Sequence, residues 1–148
     1  MLKVRCANAA DLKAMIACDD YAPAHPERGC RIEEALLAGD CLIAEQRLQA
    51  AGYALVRHDF FGFEFVEVLM VHPALRRLGV GLALLQACIE QCQTAQLLTS
   101  ANASNESAER LFIRAGFQPC GWIDGLTPGD AEIVYRVECG AANIRSAG

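Results

Sequence analysis

A chain of 148 residues, 53% hydrophobic and 21% charged, is long enough to bury a core of its own and too apolar to remain disordered. Thirteen Lys and Arg against eighteen Asp and Glu leave a formal charge of −5, so the basic surplus that makes nucleic acid a default partner is missing. No apolar run approaches the roughly 18 residues of a membrane-spanning helix, and Met1–Arg5 lacks the apolar core of a signal peptide. One cytoplasmic domain over residues 1–148 is the expectation, with neither nucleic acid nor membrane as partner. The eight cysteines contain no Cys-x-x-Cys pair. Cys88 and Cys92 share helical spacing without a neighbouring His, so the thiols are expected to be reduced, mostly buried packing groups, with no metal.

In chain order, Lys3–Cys6 reads as a strand. Asn8 and Asp11 then form a capping-box-like start for a helix running toward Asp19. Pro23, Pro26 and Gly29 mark a loop, and Arg31–Ala38 a short helix ended by Gly39. Asp40–Glu45 and Ala51–His58 are expected as adjacent strands around a turn near Arg47–Gln49. Phe63–Val71 alternates and is rich in aromatic and β-branched residues, a strand that Pro73 ends. Gly81–Gln93 carries Leu82, Leu85, Ile89 and Cys92 at helical spacing. Gln96–Thr99 is a brief strand and Asn105–Ala115 a helix stopped by Gly116. Gln118–Ile123 and Glu132–Val137 are closing strands around an Asp124–Gly129 turn, and Cys139–Gly148 is a tail expected to fray. The order β-α-α-β-β-β-α-β-α-β-β is an α/β mixture with an antiparallel meander before the central helix, and only its later βαβ part invites parallel pairing.

The stretch from Leu69 to Leu82 carries the chemistry. A strand ends at Val71, a loop crosses Pro73, and Arg76-x-x-Gly79-x-Gly81 opens an amphipathic helix. Backbone N–H groups at such a start, with the helix dipole, suit phosphate oxygens, and Arg76 and Arg77 add positive charge. A dinucleotide fingerprint needs a third glycine where Leu84 stands, and a P-loop needs a Lys and a hydroxyl that Gly81-Leu82-Ala83 lacks. An ordinary helix start without a ligand is the plain alternative.

The segment Leu69-x-Val71-x-Pro73-x-x-Arg76-Arg77-x-Gly79-Val80-Gly81, followed by Asn105-x-x-Ala108-x-x-Leu111-Phe112-x-x-x-Gly116-Phe117, resembles the GNAT superfamily of acyl-CoA N-acyltransferases. The order of elements fits that family over nearly the whole chain. The resemblance implies a central, mostly antiparallel mixed sheet flanked by helices. It also implies acetyl-CoA as co-substrate, its diphosphate held by backbone amides of Arg77, Leu78, Gly79, Val80, Gly81 and Leu82 beside Arg76. Met70 and Val71 would meet the pantetheine arm and the acetyl carbonyl, and Asn105 would face the arm from the following helix. A plain helix cap is the other reading of Asn105.

Family chemistry is direct attack of a primary amine on the acyl thioester in a ternary complex, and a group must take the amine's proton. Glu67, on the same strand face as Val71, is the candidate base; its alternative is an acceptor-orienting or merely solvated carboxylate. Glu64 and His72 fall on the other face, and His58 and His72 read as surface residues. Phe112 stands where many members have a proton-donating Tyr, so it is expected against the cofactor arm or in the core, with Cys120 or Tyr135 as possible neighbours of the cleft. That substitution leaves open an acyl-CoA-binding module that has lost the chemistry. The acceptor, a small molecule, a peptide N-terminus or a lysine, would be set by Tyr21–Arg31, Asp59–Gly62 and Asp124–Gly129. Asp19, Asp20 and Glu27 read as solvated surface, with attraction of a cation as the alternative, and exposed Phe60 and Phe61 as substrate or dimer contacts. A homodimer is what the resemblance suggests.

Overall fold

The computed structural model describes residues 1–140. Its elements are β1 (Leu2–Cys6), α1 (Leu12–Cys18), α2 (Pro26–Ala38), β2 (Cys41–Gln46), β3 (Gln49–Phe60), β4 (Phe63–Val71), α3 (Val80–Gln91), β5 (Gln96–Asn102), α4 (Glu106–Arg114), β6 (Gln118–Thr127) and β7 (Asp130–Glu138). This is a mixed α/β fold whose seven strands run β1-β2-β3-β4-β5-β7-β6 across the sheet. β4 and β5 pair in parallel, over Glu64↔Leu97 to Val66↔Thr99, whereas β1–β2, β2–β3, β5–β7 and β6–β7 are antiparallel. The element order matches the sequence reading in full.

The described residues cluster into two compact units, one of Met1–Val56 with Val68–Ala87, the other of Arg57–Glu67 with the residues from Cys88 on. In the first, α1 and α2 bury Met15, Cys18, Ile32, Ala35 and Leu36 with Cys41, Ile43, Tyr53, Leu55 and Val68. Each large apolar side chain so enclosed contributes about 1.5–3 kcal/mol. The Asn8–Asp11 capping box is present, opening a 3-10 turn that leads into α1. Arg47 and Leu48, both left-handed (φ 53° and 63°), make the two-residue β2–β3 turn that matches strand twist. In the second unit, Phe112 packs edge-on against Tyr135 and tilted against Phe117, all three buried.

Four expectations are corrected. The proline-glycine stretch is no loop beyond His25, because α2 already starts at Pro26: proline's fixed φ and missing N–H suit a first helical turn. Gly29 is kept inside the helix, where an added Cβ would sit 3.8 Å from Ile16. The buried face of α3 is Val80, Leu84, Leu85 and Cys88 rather than a stripe through Leu82 and Ile89. The Asp124–Gly129 segment is mostly strand, with the turn narrowed to Pro128–Gly129; Gly125 at φ 92° falls in the irregular stretch between Ile123 and Thr127. Finally, Cys139 is not frayed, being 6% exposed with its N–H on the Ala95 carbonyl; residues 141–148 lie outside the described residues.

Candidate active site

The β4 strand positions the first group of predicted residues by simple alternation. Glu64, Val66 and Val68 are buried, whereas Phe63, Phe65, Glu67, Leu69 and Val71 lie on the other, half-buried face. Glu67 therefore does share a face with Val71, and its carboxylate lies 4.0 Å from Arg57. Glu64 is 5% exposed and engaged structurally: its Oε2 accepts from the Gln93 N–H at 2.7 Å, just past the end of α3. His72 is an N-cap, its Nδ1 accepting from Ala74 N–H at 3.1 Å, and His58 is largely exposed, 3.8 Å from Glu64.

The end of β4 is backed closely by β3. A Cβ on Gly52 would fall 2.5 Å from the Met70 carbonyl oxygen and 3.2 Å from Val71 Cα, so only glycine lets the two backbones approach this far. The His72 N–H extends that contact to the Ala51 carbonyl at 2.8 Å.

Beyond the 3-10 turn at Pro73–Leu75 the chain reaches Arg76. Arg77 (φ 66°) and Gly79 (φ 85°) both occupy the left-handed region, which bends the loop sharply before α3. Ala83 N–H bonds the Gly79 carbonyl at 3.0 Å, so Gly79 occupies the N-cap position and has no side chain to satisfy the first-turn N–H groups of Val80, Gly81 and Leu82. A Cβ on Gly79 would meet nothing within 4 Å, leaving the approach to those donors open. Leu78 is exposed. Arg76 departs from the expected picture. Its Nη2 donates to Asp20 at 2.8 Å and its Nε to the Val71 carbonyl at 3.4 Å, so its charge is already paired.

The second predicted group lies on the other unit. Asn105 is the N-cap of α4, its Oδ1 accepting from Ala108 N–H at 3.0 Å. The segment before it is tied to the β6–β7 turn: Ser104 N–H and Oγ both donate to the Asp130 carboxylate, at 3.1 and 2.5 Å. Phe112 is 4% exposed in the core against Tyr135. Tyr135 is itself buried, and burial pushes its hydroxyl pKa up. Cys120 is exposed.

Sequence reasoning misplaced Asp19. It is not solvated surface but 2% exposed. Its Oδ2 accepts from Tyr53 OH and from Arg28 Nη1, the latter at 2.8 Å, while Oδ1 accepts from Tyr21 N–H at 2.8 Å and Ala22 N–H at 3.2 Å. Arg28 also lies over the Tyr21 ring, on which His25 stacks. An acidic residue after a buried helix face, with an Arg nine positions on, is the only trace of this network in the sequence.

The strand end, the left-handed loop and the glycine-capped helix start follow one another along a single stretch of chain, and that stretch lies inside a family match. Residues 30–122 match the family described as acetyltransferase (GNAT) domain. The chain belongs to the GNAT acetyltransferase family. The GNAT fold extends over almost all of the chain. A GNAT acetyltransferase from Bacillus cereus superposes with a TM-score of 0.90 at 27% identity, covering 94% of this chain and 98% of the other. The yncA protein of Salmonella typhimurium, solved with its cofactor acetyl-CoA, gives 0.76 at 22% identity over 99% and 96%. A ribosomal-protein-alanine N-acetyltransferase from Brucella melitensis gives 0.73 at 22% over 92% and 99%. No curated protein sequence matches. Among the described residues of this GNAT chain no helix is long and apolar enough to cross a membrane.

Proposed function

We propose that this GNAT chain transfers an acetyl group from acetyl-CoA to a primary amine by direct attack within a ternary complex. The observation that carries the reading is the loop with Arg77 and Gly79 left-handed, opening α3 on three first-turn N–H groups that no cap side chain covers. Such donors fit a diphosphate, and the Arg77 side chain adds charge beside them. Bound there, acetyl-CoA supplies the activated thioester. Backbone groups of Met70 and Val71 at the end of β4 would orient its arm and acetyl carbonyl; the β4–β5 ladder pairs Glu64–Val66 with Leu97–Thr99 and does not extend to them. Asn105 caps α4 through Oδ1, which leaves its Nδ2 to turn toward the arm.

Glu67, on the Val71 face of β4, takes the amine's proton, directly or through water. Phe112 has no proton to give and is buried, so the departing coenzyme A leaves as thiolate or is protonated by water. The buried Phe112 also favours a second reading, an acyl-CoA-binding module without turnover. The test follows free thiol release from acetyl-CoA across an amine panel. Amine-dependent release is expected, and Glu67→Gln should cut the rate more at neutral than at high pH, where free amine is already abundant. Coenzyme A binding without amine-dependent release selects the second reading, and no binding at all removes both.

A further inference from the structure

Arg76 stands at the entrance to the proposed diphosphate loop, where an arginine would ordinarily be read as a phosphate ligand. We infer instead that Arg76 is a positioning residue, clamped by Asp20 to preset the loop. The inference rests on the proposed binding of coenzyme A by the Arg76–Leu82 loop.

Three observations support it. Arg76 already makes two directional bonds, Nη2 to Asp20 at 2.8 Å and Nε to the Val71 carbonyl at 3.4 Å. A guanidinium whose charge is paired adds little net field for an anion. Next, Asp20 is presented from a locked turn: the buried Asp19 carboxylate accepts the N–H groups of Tyr21 and Ala22, the two residues that follow Asp20, and is itself held by Tyr53 and Arg28. Finally, the clamp falls on the residue immediately before Arg77, whose left-handed φ of 66° is unfavourable for a side-chain-bearing residue and needs its neighbours to hold it. Fixing Arg76 to the end of β4 and to the 19–22 turn reduces the loop's freedom before any ligand arrives, which is how preorganisation improves affinity. The same pair links the segment between α1 and α2 to the loop ahead of α3, so a change in the first alters the second.

The two roles predict opposite signs. If Arg76 were a phosphate ligand, Asp20 would compete with the diphosphate, and Asp20→Ala would tighten coenzyme A binding. A clamp predicts weaker binding, by about two- to fivefold for a pair this exposed. Coenzyme A dissociation constants are measured by calorimetry for wild type, Asp20→Ala, Arg76→Asp, Asp20→Arg and the Asp20→Arg/Arg76→Asp double variant, with thermal melting to confirm folding. Each single change should weaken binding, and the double reversal, which restores the pair, should recover most of it. As a readout of charge, Arg77→Met should flatten the salt dependence of binding whereas the Asp20→Asn/Arg76→Met double variant, which removes both charges of the pair, should leave it nearly unchanged. Tighter or unaltered binding by Asp20→Ala, or a double variant no better than Arg76→Asp, overturns the clamp while leaving coenzyme A binding intact. Wild type that fails to bind coenzyme A overturns the functional reading and the clamp with it.

Discussion

The Tyr53 hydroxyl donates to the Asp19 carboxylate where neither residue meets solvent, Tyr53 being 0% and Asp19 2% exposed. Removing the carboxylate strands the hydroxyl and most of the Arg28 charge, so Asp19→Ala should cost about 3–5 kcal/mol. Tyr53→Phe, which removes a single donor, should cost about 1–3 kcal/mol. Burial pushes the Asp19 pKa up, but the bonds from Tyr53 and Tyr21 and the Arg28 charge outweigh it and hold it below its ordinary value. A folded-state pKa below the unfolded one gives stability that is complete above the unfolded value and lost as pH falls through the folded one. Urea midpoints taken from neutral pH down into the acid carboxylate range should therefore fall more steeply for wild type than for Asp19→Asn. Parallel curves would refute the buried ionised carboxylate.

Two glycines shape the loop for different reasons and should fail differently. At Gly52 a methyl group meets the Met70 carbonyl oxygen at 2.5 Å, so Gly52→Ala must push β3 from the end of β4, costing about 1–3 kcal/mol and weakening coenzyme A binding. At Gly79 the space is open, but φ is 85°, so Gly79→Ala should cost about 1–2 kcal/mol in backbone strain alone. Chemical denaturation with coenzyme A calorimetry checks both. A harmless Gly52→Ala would contradict the close approach.

Phe112 touches Tyr135 and Phe117 in the core. Phe112→Ala should cost about 3–5 kcal/mol. Phe112→Tyr buries a hydroxyl without a partner, at about 1–3 kcal/mol, and should not raise turnover. A rate gain would instead show that the ring's para position reaches the reacting atoms.

The eight thiols should divide by exposure. Cys6, Cys30 and Cys120 are exposed, and Cys18, Cys41, Cys88, Cys92 and Cys139 buried. Burial pushes the Cys41, Cys88 and Cys139 thiols up to about 12, and a thiol, unlike a thiolate, does not alkylate readily. Iodoacetamide at neutral pH followed by peptide mass spectrometry should label the first three in the native protein and the other five only in denaturant. Fast native labelling of Cys88 would refute the burial.

The features legible in the chain before folding are local ones. Alternation over Phe63–Val71, the glycines after α2 and α4, Pro73 after β4 and the Asn8–Asp11 box are legible because period, turn conformation and capping depend on residues a few positions apart. The same locality made Arg76-x-x-Gly79-x-Gly81 and the Asn105–Phe117 pattern readable as a family signature. Where a polar side chain finds its partner was decided by the tertiary structure. Asp19 looked solvated because Tyr53, 34 positions away, is what makes its burial tolerable, and Arg76 looked like a free phosphate ligand because Asp20, 56 positions away, is what neutralises it. A charge in a sequence has no environment until the chain folds, and here folding moved one carboxylate into the core and gave another the task of holding the loop.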